Sequence, residues 1–314
     1  MTLPTFSNAH RLAIQLALRL ALGAIPGLLL WSAQAAPVKV ADVQGHVLQW
    51  DAPPRRIVSL MPSLTESICA LGACDRLVGV DRYSNYPAQV NQLPKLGGID
   101  DTQVETIVAL RPDVVVVTPY SRVQDRLSAL GLKVLVLETR SQEDVQRGFQ
   151  TLGQMLAVPD ALQVWHRIEA DMNAKAADVP ASLRGMRVYF EVDSAPYAAG
   201  ESSFIGEILG QLGLRNVVGR ELGPFPKLNP EFVVRANPQI IMVGQRNVGG
   251  MDGRPGWRGI DALQAQRLCV FAPEESELIT RPGPRMAEAA GLIVQCLRRL
   301  DPAAPGPGKT RPRS

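Results

Sequence analysis

The amino-acid sequence predicts an α/β protein of two Rossmann-like lobes, each built on a parallel sheet, with one long rigid α-helix joining them. Short apolar segments, typical of strands buried on both faces, alternate with helical segments in residues 36–140 and again in residues 181–301. Between these two series, residues 141–180 carry a helical pattern and no Gly- or Ser-rich linker. We therefore predict an N-terminal lobe, a linker helix region and a C-terminal lobe with these bounds.

Residues 1–35 are predicted to be a cleaved signal peptide and not part of the fold. A basic start, an apolar run from Leu20 to Trp31 and the small-residue site Ala33-Gln34-Ala35 are typical of an exported protein. The alternative, a transmembrane anchor, is disfavoured because Arg19 and Pro26 interrupt the apolar run. No cysteine directly follows the predicted cut, so we expect a soluble periplasmic protein without a lipid anchor.

In the N-terminal lobe, the predicted helices end at residues that do not continue them. Gly72 and Gly131 follow two of the helices, and Pro112 stops another because proline lacks the N–H and disfavours a helical predecessor. The strand over 114–117 is wholly β-branched, which suits a strand covered on both faces. Predicted strands lie at 56–60, 77–80, 114–117 and 134–137, and predicted helices at 64–71, 104–110 and 124–130.

The linker and the C-terminal lobe follow the same rules. Helical spacing continues from Gln142 to about Ala177, and Val158-Pro159 interrupts it near the middle. The tail, residues 302–314, is rich in Pro, Gly and basic residues and is predicted to be disordered. Predicted strands of the C-terminal lobe lie at 188–192, 240–243 and 268–271, and predicted helices at 204–212, 232–236 and 286–300.

Both halves contain the same short unit, a helix that begins near a glutamate and feeds a buried strand after a proline. The interval between Glu105 and Pro112 is the same as that between Glu231 and Pro238. One explanation is two pseudo-equivalent lobes, each with an exposed glutamate in the same place. The other is that α/β units look alike in general, and that both acids are solvated residues favoured by the helix dipole.

Four cysteines remain after the predicted cut, namely Cys69, Cys74, Cys269 and Cys296. An even number in an oxidising compartment permits disulfides, and Cys69–Cys74 together with Cys269–Cys296 is one of three possible connectivities. Buried free thiols are the alternative. None of the spacings is C-x-x-C, which argues against a redox or zinc motif.

The chain lacks the residue patterns of common enzymes. It has no G-x-x-x-x-G-K-[ST] loop, and Gly200-Glu201-Ser202-Ser203-Phe204 lacks the last glycine of a nucleophile elbow. After export only His46 and His166 remain, although histidine is the most frequent general base. We therefore expect no enzymatic activity, no catalytic residue, no metal site and no cofactor. The formal net charge is only +3 and the basic residues form no stripe along the sequence, so no nucleic-acid partner is expected.

Aromatic side chains make up only 5% of the chain, yet several fall in loops near predicted strand ends. Loops after parallel strands form the ligand crevice of α/β proteins. Stiff aromatic faces in such loops suit a broad, flat, partly apolar ligand. These aromatic residues are Tyr83, Tyr86, Tyr197 and Phe225. The alternative is that they pack on the lobe surfaces.

Arg281 is the predicted polar ligand contact. Pro282 and Gly283 place it in a loop, where its guanidinium can donate hydrogen bonds to an amide-bearing or anionic ligand. The alternative is a structural salt bridge to Glu277 or Glu288. We include Glu277 with Arg281 among the predicted ligand-binding residues.

Three segments resemble the BtuF-type periplasmic cobalamin-binding proteins, which are ABC transporter solute-binding proteins with a helical backbone (class III). They are RIVSLMPSLTE at 56–66, YSNYP at 83–87 and ETIVALRPD at 105–113. Residues 281–285 fit the last segment of the family, and the resemblance covers roughly residues 55–300. These motifs are specific for the superfamily and less so for the ligand, because siderophore and haem binders share the scaffold.

The resemblance implies a monomer that captures cobalamin or a related corrinoid between its lobes and delivers it to an inner-membrane ABC permease and its ATPase. It also implies that Glu105 and Glu231 pair with permease arginines. The implied ligand contacts are Tyr83, Tyr197 and Phe225 on the corrin, with Arg281 near its side chains. The lobes are expected to move only slightly, because the joining helix is rigid.

The sequence departs from the family pattern in its aromatic cradle. Ile99 and Thr118 occupy positions where a cobalamin binder offers tryptophan, and Trp257 lies in a separate loop. Haem or a ferric siderophore is therefore the alternative ligand, and haem would take Tyr120 or Tyr83 as an axial ligand. An enzyme that modifies a tetrapyrrole through Glu or Asp is the alternative from another class.

Overall fold

The structure, a computed structural model, describes residues 37–194 and 196–302. The predicted signal peptide and nearly all of the predicted tail lie outside these ranges. The described chain opens on an antiparallel hairpin of β1 (Val38–Ala41) and β2 (Val47–Trp50), for which the sequence carried no clear signal. Within the described ranges, no helix is both long enough and apolar enough to cross a membrane.

The N-terminal lobe is built on a parallel sheet whose strands confirm the predicted ones to within a residue or two. The strands are β3 (Ile57–Ser59), β4 (Leu77–Val80), β5 (Val114–Val117) and β6 (Val134–Val136). They lie in the order β4-β3-β5-β6. All the valines of β5 are buried, as expected for a strand covered on both faces. The helices of this lobe are α1 (Pro62–Ala70), α2 (Val104–Ala109) and α3 (Gln124–Ala129).

Two helices join the lobes where one long helix was predicted, so that part of the prediction is wrong. They are α4 (Gln142–Leu156) and α5 (Ala161–Lys175). Ala157 ends α4 in a left-handed conformation with φ 56°, and the predicted interruption at Val158-Pro159 falls in the turn. A Cβ atom added at Gly153 would lie 2.2 Å from Cβ of Ala161. The turn is therefore tight, and the second helix packs back on the first.

Both linker helices are part of the protein core. Phe149 and Leu152 of α4, and Trp165 and Met172 of α5, are buried in one apolar cluster. The same cluster contains strand residues of both lobes. Moving one lobe far relative to the other would expose this apolar surface, so the junction resists large hinge motion.

The C-terminal lobe repeats the parallel architecture and confirms its three predicted strands. Its strands are β7 (Arg187–Asp193), β8 (Tyr197–Ala198), β9 (Arg215–Asn216), β10 (Ile240–Gly244) and β11 (Leu268–Phe271). The order is β11-β10-β7, with β9 and the antiparallel β8 both beside β7. Its helices are α6 (Phe204–Gln211), α7 (Pro230–Ala236), α8 (Asp261–Gln264), α9 (Pro273–Ile279) and α10 (Met286–Leu300).

The two lobes share one strand order, which favours pseudo-equivalent lobes over a chance likeness. Among the parallel strands of each lobe, the first lies between the second and the third, and the fourth lies outside the third. The two copies of the repeated unit also end their helices in the same way. Arg111 and Asn237, with φ 46° and 43°, are both left-handed and directly precede Pro112 and Pro238. A left-handed residue ends each short helix and turns the chain into a buried strand.

Disulfides join Cys69 to Cys74 and Cys269 to Cys296. This confirms the pairing that the sequence left as one of three, and free thiols are excluded because the structure describes all four cysteines. The second bond ties β11 to α10, whose apolar face packs against α5. It therefore crosslinks the last strand to the helix that covers the linker.

Replacing both Cys269 and Cys296 by alanine is expected to lower the free energy of unfolding by about 3 to 4 kcal/mol. The bond closes a loop with a sequence separation of 27, and its loss restores chain entropy to the unfolded state. The urea midpoint measures the effect. The matched control removes Cys69 and Cys74, whose separation is 5, and should cost less. Equal midpoints for the two double variants would contradict this explanation.

Candidate functional site

The carboxyl ends of the strands in both sheets face a cleft between the lobes, and a cavity of about 450 Å³ lies in that cleft. Loops after β3, β5 and β6 provide its N-terminal wall, consisting of Met61, Tyr120, Thr139 and Arg140. The opposite wall comes from the C-terminal lobe and consists of Phe204, Leu222, Pro224, Phe225, Pro226, Thr280 and Pro282. The site is therefore assembled from segments distant in the sequence.

The wall from the C-terminal lobe is almost wholly apolar. The rings of Phe204 and Phe225 pack with their centroids 5.9 Å apart. The Phe225 loop is held by backbone hydrogen bonds, since Gly200 N donates to Pro224 O at 2.8 Å. A Cβ at Gly200 would lie 2.3 Å from the carbonyl oxygen of Gly223, so this close approach requires glycine. The result is a fixed aromatic surface facing the cleft.

The wall from the N-terminal lobe is mainly polar, and its charged lining residue, Arg140, is paired with a neighbouring glutamate. Arg140 Nη2 lies 3.0 Å from Glu138 Oε2, and the Arg140 guanidinium lies 5.1 Å from the centroid of the Tyr120 ring. The Tyr120 hydroxyl donates to Glu138 Oε1 at 3.4 Å. Burial, and then the negative charge of Glu138, raise the pKa of Tyr120 above its ordinary value. This wall thus presents a neutral phenol and a cation that already has its counter-ion.

Among the predicted ligand contacts, Phe225 alone lines this cavity. Tyr83 and Tyr197 lie in segments that follow β4 and β7, at the same edges of the sheets, and are 59% and 39% exposed. They are accessible aromatic surfaces near the cleft, and Tyr197 lies 5.9 Å from Nζ of Lys227. Trp257 is fully buried against Tyr189 in the C-terminal lobe, so it does not supply the missing aromatic cradle.

Arg281 forms an ion cluster with the largely buried Glu66 and Arg285 and the half-exposed Glu277. Its Nη1 donates to Glu66 Oε1, and its Nη2 to Glu277 Oε2, both at 3.0 Å. Arg285 adds two hydrogen bonds to the same Glu66 carboxylate, at 2.9 and 2.7 Å. The structure therefore has the salt bridge to Glu277 that was the alternative for Arg281, and the guanidinium is largely occupied by protein acceptors.

The cluster also holds the aromatic loop that follows β4. Arg281 donates to the carbonyl of Tyr83 at 3.1 Å and to Asn85 Oδ1 at 2.7 Å. The Arg285 guanidinium lies 4.1 Å from the centroid of the Tyr86 ring. Because Glu66 belongs to α1 and both arginines lie beside α9 and α10, the cluster connects the two lobes.

The base of the same loop is a buried polar chain. Ser84 Oγ donates to Asp81, and Thr65 Oγ1 lies 2.9 Å from both Ser84 Oγ and Ser59 Oγ. Burial raises the pKa of Asp81, and the hydrogen bond from Ser84 partly offsets that rise. The Asp81 carboxylate also accepts from the backbone N–H of Tyr83 at 2.8 Å. The loop that follows β4 is therefore held both by the ion cluster and by this buried polar chain.

Glu105 and Glu231 occupy the first turns of α2 and α7, in equivalent positions of the two lobes. Their side chains are 80% and 77% exposed. Arg126 lies 2.6 Å from Glu105, and Arg235 lies 3.9 Å from Glu231. Since each helix runs antiparallel to the strand it feeds, both glutamates lie at the cleft edge of their sheets. This geometry leaves them accessible to a partner.

Several cavity residues carried no recognisable signal in the sequence. Arg140 is one charge among many at the start of a helix, and Tyr120 was considered only as an iron ligand. Glu66 did carry a signal, because it is the one acid inside the apolar helix segment 64–71. Within the described ranges, no group of three or more His, Cys, Asp or Glu side chains is arranged to hold a metal ion.

The sequence is similar to that of periplasmic binding proteins. The sequence model of a family described as "periplasmic binding protein" matches residues 57–274. An uncharacterized ABC transporter substrate-binding lipoprotein, YvrC of Bacillus subtilis, is 28% identical over 273 residues, covering 83% of this chain and 85% of the relative. The vitamin B12-binding protein of Vibrio cholerae is 24% identical over 254 residues, covering 78% and 90%.

Solved structures show the same architecture. The periplasmic vitamin B12 binding protein BtuF of Vibrio cholerae superimposes with a TM-score of 0.63 at 23% identity, covering 79% of this chain and 98% of that one. A periplasmic heme binding protein from Pseudomonas aeruginosa gives a TM-score of 0.65 at 26% identity, covering 80% and 94%. Structural similarity therefore establishes the fold, and proteins of this fold have different ligands.

Proposed function

This chain belongs to the periplasmic binding protein family, as an ABC transporter substrate-binding protein, and on that premise we propose that it captures a corrinoid such as cobalamin between its lobes. In this proposal the protein is exported, loses residues 1–35, and acts in the periplasm as a monomer. Its lobes, 36–140 and 181–301, enclose the ligand and carry it to an inner-membrane permease and its ATPase. The family consists of binding proteins and not of enzymes.

The observation that carries the proposal is the unequal chemistry of the two cavity walls. A corrin is broad and flat, with amide-bearing side chains at its edge. The apolar wall around Phe225 suits its face, and the hydrogen-bonding wall with Tyr120 and Thr139 suits its amides. Arg140 is already paired with Glu138. The described residues that line this cavity therefore offer no unpaired cation to an anionic ligand.

Haem is the second candidate, and Tyr120 is the observation that favours it. Its hydroxyl-bearing ring lines the cavity, and a tyrosine phenolate is a known axial ligand of haem iron. The raised pKa of Tyr120 opposes loss of the proton that such a bond requires. Within this cavity, the pairing of Arg140 with Glu138 likewise gives less support to haem carboxylates. We therefore rank the corrinoid first.

The decisive experiment is isothermal titration of the purified mature protein with cyanocobalamin, haemin and a ferric hydroxamate. The proposal expects tight one-to-one binding of cyanocobalamin and weak or no binding of the other two. Binding of haemin with a shifted Soret band, and no response to cyanocobalamin, would favour haem with a tyrosine ligand. Lack of binding by all three would refute both assignments while leaving the fold intact.

Replacing Phe225 by alanine is expected to weaken cyanocobalamin binding by about 10- to 100-fold. Loss of one buried aromatic contact corresponds to about 1.5 to 3 kcal/mol, and 1.4 kcal/mol is tenfold in affinity. Calorimetry measures the dissociation constant. The control is Leu130→Ala, at the exposed end of α3 on the opposite edge of its sheet. Unchanged affinity in Phe225→Ala would remove this cavity from the proposal.

A further inference from the structure

A second, smaller cavity of about 190 Å³ adjoins the cleft on the side of the C-terminal lobe. It lies at the carboxyl ends of β7 and β10, against the start of α9. Thr280 lines both this cavity and the larger one. A ligand seated in the cleft can therefore extend past Thr280 into the smaller space.

The second cavity is lined by both polar and apolar residues, and the one cationic residue among these described residues is unpaired. Arg246, Asn247, Ser276 and Glu277 contribute side chains to it. Glu277 is compensated, because its carboxylate lies 3.0 Å from Arg281. Arg246, by contrast, is solvent-accessible and forms no hydrogen bond or ion pair within the described part of the chain. The two cavities thus differ in charge, since the larger contains a paired guanidinium and the smaller a free one.

A free guanidinium beside amide and hydroxyl groups is suited to an anionic oxygen, and to phosphate in particular. The close packing of the cavity depends on Gly244, where a Cβ would lie 2.7 Å from Ser276 Oγ. The absence of a side chain there brings the end of β10 against α9 and places Arg246, two residues on, at the cavity. The strand end therefore places the backbone of Arg246 beside the cavity, where its exposed side chain can reach a bound ligand.

We propose that this second cavity receives the phosphodiester of the nucleotide loop of a complete corrinoid, with Arg246 as the residue that selects for it. This inference rests on the proposed function. The ring and its neutral amides occupy the larger cavity, and the one anionic group of the ligand reaches Arg246. The protein then discriminates complete cobalamins from cobinamide, which has the same ring but lacks the nucleotide and its phosphate.

The test compares cyanocobalamin with dicyanocobinamide by calorimetry, on the wild-type protein and on Arg246→Gln. We expect the wild type to bind cyanocobalamin about tenfold or more tightly than dicyanocobinamide, because one charge-assisted hydrogen bond accounts for a difference in affinity of that size. The variant should lose that preference by weakened binding of cyanocobalamin, with its affinity for dicyanocobinamide unchanged. Raising the salt concentration should reduce the preference of the wild type in the same way.

The matched control is Arg215→Gln, since Arg215 lies on β9 at the opposite edge of the same sheet. It should keep the preference of the wild type. Equal binding of the two corrinoids by the wild type, or an equal loss for both in Arg246→Gln, would overturn the inference while leaving corrinoid binding established. Failure of the wild type to bind either corrinoid would instead refute the proposed function.

Discussion

Replacing Glu66 by glutamine is expected to lower the free energy of unfolding by about 3 to 5 kcal/mol, the usual cost of removing one partner from a buried ion pair. The Glu66 side chain is 1% exposed, and it accepts hydrogen bonds from both Arg281 and Arg285. Glutamine retains the shape but removes the carboxylate that pairs with Arg285 and leaves Arg281 with Glu277 as its remaining carboxylate partner. Urea unfolding monitored by far-ultraviolet circular dichroism measures the change.

The same substitution should also weaken ligand binding, although Glu66 is not a lining residue of either cavity described above. With Glu66 neutralised, Arg281 and Arg285 each lose an ion pair that helps to position them, and they contact Tyr83 and Tyr86 beside the cleft. The ordering of this loop would then have to occur on binding and would oppose it. We expect Glu66→Gln to bind cyanocobalamin more weakly at temperatures where the variant is fully folded.

The control for this prediction is Glu143→Gln on α4, which removes an ion pair with Arg147 at a site where the glutamate is 73% exposed. Exposed pairs contribute about 0 to 1 kcal/mol, so this variant should unfold close to the wild type. If Glu66→Gln also unfolded like the wild type, the cluster would not hold the lobes together. A large stability loss with unchanged ligand affinity would separate the cluster from the binding loop.

Most of the helices and strands were predictable because local signals mark them. The wholly β-branched strand at 114–117 and the glycines that follow several helices act within a few residues of chain. The linker was predicted as one long helix interrupted at Val158-Pro159, but the sequence did not show that Ala157 ends the first helix in a left-handed conformation. That conformation accompanies the close packing of Gly153 against Ala161, a contact between two helices that local sequence signals do not mark.

The site was less predictable, since its walls meet only after both lobes fold. Phe225 was predicted from its loop, but the neighbours that form the cavity with it come from 61, 120 and 139–140. Arg281 was assigned to the ligand because its loop position was visible while its partner Glu66, more than 200 residues earlier, was not. The equivalent glutamates are the exception, because an internal repeat records both positions in the sequence.

The double variant Glu105→Ala/Glu231→Ala is expected to abolish ligand uptake while keeping ligand affinity. Both side chains are exposed at equivalent points of the two lobes, on the edges that flank the cleft. Paired acids at such positions orient a protein on a basic partner surface more than they tighten its binding. Uptake of labelled cyanocobalamin into proteoliposomes that contain the cognate importer measures the loss, and calorimetry measures the affinity.

Each single variant should retain part of the uptake, because one lobe can still engage the permease. The control replaces two exposed acids of the linker helices, Glu143 and Asp171, which removes the same charge from elsewhere on the surface. That control variant should transport normally. A defect caused by the change in net charge alone would instead appear in both double variants. Uptake that survives in Glu105→Ala/Glu231→Ala would exclude these residues from docking. A collapse of ligand affinity in that variant would show that they support the binding site instead, because solvated docking residues have no reason to alter a cavity that they do not line.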